Sequence, residues 1–102
     1  MAYTGAVRFE WDPAKDALNR ARHGIGFDEA AAVFRSRTPW LELDDEAHSG
    51  DELRYRAIGM TVRGVLLVVC TDRDEDTVRI ISARKATPRE RRFYEAWIER
   101  YL

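Results

Sequence analysis

Residues 65–70 read Val65-Leu66-Leu67-Val68-Val69-Cys70, an apolar run without a polar interruption, and Thr71 follows it. The run is far short of the roughly 18 residues a membrane-spanning helix needs. An unalternating strand of this length has both faces covered, so it belongs at the centre of a sheet. The rest of the chain must supply that cover. With 102 residues there is material for one modest core, and a single domain over residues 1–102 is expected. Cys70 is the only cysteine. Inside this run it reads as a small buried hydrophobe and not as a reactive thiol, which suits a reducing, cytoplasmic setting. Met1-Ala2-Tyr3-Thr4-Gly5 shows no signal-peptide pattern.

The flanking segments supply strands and helices in a readable order. Val7-Arg8-Phe9-Glu10-Trp11 alternates as a short strand does. Asp12-Pro13 then starts a helix, with an N-cap acceptor followed by proline at the first helical position, and Gly24 stops it. Ala14, Ala17, Leu18 and Ala21 are expected to form its inward stripe. Phe27-Asp28-Glu29 opens a second helix, with Asp28 as the expected cap, Phe27 stapled against Ala32, and Phe27, Ala30, Ala31 and Phe34 facing the core. Residues 40–43 read as a short strand before an acidic, polar loop over residues 42–52, where His48 reads as a surface residue. Residues 53–60 alternate, with Tyr55 and Ala57 on one face and Arg54, Arg56 and Ile58 on the other; Arg63-Gly64 marks a hairpin turn. A charged turn over residues 72–76 leads to a last strand over residues 77–83.

Thr87-Pro88-Arg89-Glu90 is a capping box with proline at the first helical position. Phe93, Tyr94, Trp97, Ile98 and Tyr101 then keep helical spacing and are expected to pack on the sheet. The order is β-α-α-β-β-β-β-α. That pattern predicts an α+β fold: a mostly antiparallel sheet of four to five strands, with two N-terminal helices and a C-terminal helix packed on it.

The net charge of −1 gives no general sign of a nucleic-acid binder, but the charges are unevenly placed. From Arg79 to Arg92 there are six cations (Arg79, Arg84, Lys85, Arg89, Arg91 and Arg92) against Glu90 alone. Arginine forks and the free N–H groups of a helix N-terminus both match phosphate oxygens. A solvated charged face is the plain alternative. Arg54 and Arg56 share a strand face, and Arg79 projects from another strand, so three guanidiniums converge unless they are spent on cross-strand carboxylates. The first helix adds Lys15, Asn19, Arg22 and His23 along its polar side. His23 is the default proton-transfer candidate by residue type, set against a simple helix-end role. Glu90 is already explained by its capping box, and Tyr94 is either core or a partner of Glu90. There is no Gly-rich phosphate loop, nucleophile elbow or metal-binding spacing.

Taken together, these residues resemble the BrnT family. Phe9-Glu10-Trp11-Asp12-Pro13 with Lys15 and Asn19 matches its opening motif. The likeness continues through His23-Gly24, Phe27 and Glu29-Ala30. Arg79-Ile80-Ile81-Ser82-Ala83-Arg84-Lys85-Ala86-Thr87, followed by Glu90-Arg91 and Tyr94, matches its closing motif. The resemblance implies a RelE-like fold and a metal-independent ribonuclease toxin of a type II toxin–antitoxin pair, which needs no cofactor. It implies cleavage by attack of an RNA 2′-hydroxyl and hence translation arrest. On it, His23, Arg54, Arg79, Arg84, Glu90 and Tyr94 become the catalytic candidates, and Lys15, Arg56, Lys85 and Arg89 the RNA-phosphate contacts. The implied partners are the RNA substrate and a BrnA-like ribbon-helix-helix antitoxin, through which alone operator DNA is reached; no membrane is involved. The alternative is a non-catalytic protein partner that completes a repressor complex.

Overall fold

The computed structural model describes residues 7–44 and 53–101, the last without its side chain. His48, the rest of the acidic segment over residues 45–52 and the expected packing of Tyr101 lie outside the described residues. The elements are β1 (Arg8–Glu10), α1 (Pro13–His23), α2 (Phe27–Arg35), β2 (Leu41–Asp44), β3 (Tyr55–Thr61), β4 (Gly64–Asp74), β5 (Thr77–Lys85) and α3 (Pro88–Tyr101). The five strands lie in the order β1-β5-β4-β3-β2. Only β1 runs parallel to its neighbour, β5; the other pairs are antiparallel. The α+β layout is the expected one, with the apolar run in the central strand.

Both faces of β4 are covered, as an unalternating strand requires. On one face Leu66, Val68 and Cys70 join Ala57, Val78, Ile80 and the inner residues of α2. On the other, Val65 and Leu67 join Ile58 and Tyr94. Burial pushes the Cys70 thiol up to about 12, so it stays protonated at neutral pH. Phe27, Ala30, Ala31 and Phe34 are buried as expected, with Val33 beside them. The helix lies so close to β3 that a Cβ on Gly59 would sit 2.8 Å from a Val33 methyl. Asp28 does not cap α2. Gly26 holds the N-cap position and Glu29 accepts its N–H at 3.0 Å. Asp28 lies inside the first turn and pairs with Arg20 at 2.7 Å.

The first helix starts and stops where its sequence signals lie. Asp12 accepts from the Ala14 N–H at 2.9 Å, and Gly24 takes the left-handed conformation at φ 71°. The expected inward stripe does not face the core, although Lys15, Arg22 and His23 are exposed as expected. Ala14, Ala17, Leu18 and Ala21 are exposed, Leu18 at 48%, while Asn19 is buried. Polar ties set this rotation. The Asn19 amide donates to the carbonyls of Ile25 at 2.8 Å and Ala83 at 2.7 Å, and its oxygen accepts from the Ala83 N–H at 3.2 Å. Asp16 accepts from the Phe27 N–H at 2.7 Å. Three alanines bring little burial energy to outweigh those bonds.

β4 runs on to Asp74, so the charged turn narrows to Glu75 and Asp76, and β5 extends to Lys85. The β4–β5 register shifts between Val69 and Cys70, which leaves Ile81 without a counterpart in the ladder. The capping box of α3 is formed: Thr87 N–H donates to Glu90 at 2.8 Å and Glu90 N–H to the Thr87 hydroxyl at 3.1 Å. Tyr94, Trp97 and Ile98 pack on the sheet, but Phe93 is 49% exposed, against the expectation for it. Among the described residues, no helix is long and apolar enough to cross a membrane.

Candidate functional site

The sheet face that carries α3 has an open half beyond the helix. Leu67, Val69, Ile81 and Ser82 line an open cleft there of about 440 Å³, and His23, Arg54, Arg56 and Arg84 line it with them. Four of the residues singled out from the sequence thus meet at one place, although residues 23, 54–56 and 84 come from three separate parts of the chain. The end of α1 brings His23, the start of β3 and the residue before it bring Arg56 and Arg54, and the end of β5 brings Arg84. The Asn19 bonds to Ala83 fix α1 beside the strand segment that carries Arg84.

Each arginine is held differently. Arg84 forms a forked pair with Glu90, at 2.7 and 3.0 Å, and also donates to the Lys85 carbonyl at 3.2 Å. Arg56 donates to the Asp44 carbonyl at 3.3 Å, and its Nε is buried without a hydrogen-bond partner among the described residues. The Arg84 guanidinium and the Thr87 N–H together draw the Glu90 carboxyl down to about 2. The same pairing raises Arg84 further. Glu90 is therefore a poor proton acceptor at neutral pH and a good clamp for Arg84.

The remaining candidates lie elsewhere. Arg79 pairs with Glu10 at 2.6 Å across the β1–β5 ladder, and it does not line the cleft. The convergence expected of Arg54, Arg56 and Arg79 is instead made with Arg84. Tyr94 is 1% exposed and its hydroxyl donates to the Pro39 carbonyl at 2.6 Å, so it is not seated against Glu90. Burial raises its pKa. Lys15 and Lys85 are exposed and outside the cleft lining. Arg89 and Glu90 line an adjoining recess, which shares Arg56 with the cleft.

Ser82 was not singled out by the sequence, yet it lines the cleft. Its signal is the two-residue spacing from Arg84, the spacing that also joins Arg54 to Arg56. Chemically, the arrangement offers forked cationic donors and an imidazole over an apolar floor, which suits a phosphodiester. Among the described residues no group of three or more His, Cys, Asp or Glu side chains is placed to hold a metal ion.

A family model described as "Ribonuclease toxin, BrnT, of type II toxin-antitoxin system" matches residues 11–90. The crystal structure of the Brucella abortus ribonuclease toxin BrnT is similar in fold. Its TM-score is 0.63 at 24% sequence identity, over 79% of this chain and 97% of that one. No curated protein sequence matches the chain. The matched span contains His23, Arg54, Arg56, Arg84 and Glu90.

Proposed function

The chain belongs to the BrnT family of ribonuclease toxins of type II toxin–antitoxin systems, and we propose that it cleaves RNA in the cleft of His23, Arg54, Arg56 and Arg84. The observation that carries this reading is the meeting of those four side chains on the open half of the sheet.

Cleavage proceeds through the RNA's own 2′-hydroxyl. His23 takes the hydroxyl proton, and the freed oxygen attacks the adjacent phosphorus. The bond to the 5′-oxygen of the next nucleotide breaks, and that oxygen takes a proton from water, to which His23 then gives up its own. The products are a 2′,3′-cyclic phosphate and a 5′-hydroxyl, and the chemistry is carried by these side chains without a metal. Charge accumulates on the phosphoryl oxygens during attack, so guanidiniums aimed at them supply the largest stabilisation. Arg84 and Arg54 take that role, Arg56 and Arg89 hold the strand, and Lys15 and Lys85 act at most as outlying contacts. Glu90 positions Arg84 and does not serve as the base. Arg79 and Tyr94 support the fold around the site.

A type II toxin has an antitoxin protein as its partner. We assign that partner to a BrnA-like ribbon-helix-helix protein on the motif resemblance, with operator DNA reached only through it and the toxin acting on RNA in the cytoplasm. The competing reading, a non-catalytic repressor partner, draws on the fact that Arg84 and Arg79 are already paired with carboxylates.

Induction of the chain in cells separates the two. Growth arrest with RNA decay is expected, relieved by Arg84→Ala and His23→Ala and by co-expression of the antitoxin. A harmless unmodified chain, with cellular RNA intact, would leave the repressor reading standing in its place.

A further inference from the structure

The cleft accounts for the arginines and leaves Phe93 unexplained. This residue sits beside the buried Tyr94 in α3, yet half of it is exposed. A lone exposed ring is ordinary on a protein surface. Phe93, however, borders a recess of about 350 Å³ between α3 and the β2–β3 edge. Leu43 and Ile58 line it from the strands, and Thr87 and Arg89 from the start of the helix. Arg56 borders both this recess and the cleft, so the two adjoin.

We propose that the recess beside Phe93 is a nucleobase subsite, receiving a base of the strand whose phosphate lies in the arginine cleft. The inference rests on the RNA-cleaving reading and extends it. An aromatic face, two aliphatic side chains and two planar guanidiniums form a lining suited to a flat π-system with hydrogen-bonding edges. The volume is at the lower end of the range for small-molecule sites, which suits one base and not a folded segment. The charge argues the same way. Arg56 and Arg89 border the recess, and Glu90, its one acid among the described residues, is already neutralised by Arg84. A strand carrying phosphates next to its flat rings is complementary to that pattern, whereas an apolar peptide meets two cations that form no ion pair among the described residues.

The test uses the intact chain and two short single-stranded 2′-O-methyl RNA probes, which lack the attacking hydroxyl. One bears bases and the other is the abasic backbone. The unmodified protein should prefer the base-bearing probe by about tenfold, the scale of one stacked base. Phe93→Ala should lose that preference and keep its affinity for the abasic probe. Phe93→Trp should retain the preference, and Phe93→Leu, apolar but without a π face, should not. If Phe93→Ala melts early, the contrast between the Trp and Leu variants decides. Equal preference in all variants would overturn the subsite while leaving RNA binding intact. No binding of either probe by the unmodified protein would overturn the RNA reading and the subsite together. Loss of antitoxin binding in Phe93→Ala, with RNA preference unchanged, would make the recess a protein contact and also overturn the subsite.

Discussion

Arg84 and Glu90 grip each other through two parallel hydrogen bonds, 2.7 Å from Nη1 to Oε1 and 3.0 Å from Nη2 to Oε2. The same carboxylate accepts the Thr87 N–H at 2.8 Å. One side chain therefore closes the capping box of α3 and sets the direction of a cleft arginine. Fold and site meet in this pair, and its chemistry gives the first prediction.

The Glu90 carboxyl is lowered in the folded chain from its ordinary 4.5 to about 2, chiefly by Arg84. A depressed acid stabilises fully above its unfolded value, and the contribution fades as pH falls through the folded one. Stability should thus decline between about pH 4.5 and pH 2. The part due to Glu90 is on the order of 1 kcal/mol, since water reaches the pair. Melting temperatures of the parent and Glu90→Gln across that range check it. The difference between them should narrow towards pH 2; a constant difference would show that the carboxylate charge is not involved.

Arg84→Lys keeps the positive charge and loses the fork that grips Glu90 and matches a phosphoryl group. Cleavage should fall on the order of a hundredfold, the scale of removing one stabilising donor. RNA binding should fall only a few-fold. Single-turnover rates beside equilibrium binding separate the two quantities. Equal losses in both would make Arg84 a binding residue only.

Asn19 ties α1 to β5 by bonding both backbone groups of Ala83. Asn19→Ala leaves those groups and the Ile25 carbonyl without their partner, at a cost of about 3 kcal/mol. Urea unfolding should show a lower midpoint with an unchanged slope. A loss below about 0.5 kcal/mol would mean that water or another group replaces the amide.

Tyr94→Phe removes the hydroxyl that donates to the Pro39 carbonyl and keeps the packed ring. It should cost about 1 kcal/mol of stability and leave the cleavage rate near that of the parent. A tenfold slower reaction in a variant of near-parental stability would return the hydroxyl to the chemistry.

Local rules carried well from sequence to structure. The Asp12-Pro13 start, the Gly24 stop and the Thr87–Glu90 box depend on neighbours a few residues apart, and all three formed. The central placement of β4 followed from the length of its apolar run. What the chain does at long range was harder to read. The alanine stripe of α1 turned outward because Asn19 found partners at Ala83, 64 residues away. Asp28 was out of register as a cap because Glu29 reached back to Gly26.

The site divides along the same line. Arg54 and Arg56 share a face by strand alternation alone. That Arg84 rather than Arg79 joins them depends on pairing: Glu10 lies opposite Arg79 in the ladder and engages its guanidinium. Ser82 was legible only through its two-residue spacing from Arg84, and Phe93 required the assembled surface. Nothing in the spacing of Phe93 distinguishes it from the buried positions of α3.

RNA cleavage in the arginine cleft is checked by incubating the purified chain with a defined single-stranded RNA, with and without a chelator. Fragments ending in a 2′,3′-cyclic phosphate and beginning with a 5′-hydroxyl are expected, at a rate the chelator does not change. His23→Ala and Arg84→Ala, shown to melt like the parent, should each be slower on the order of a hundredfold. Intact RNA after incubation with the unmodified chain, confirmed as folded and free of antitoxin, or undiminished cleavage by Arg84→Ala, would contradict this reading.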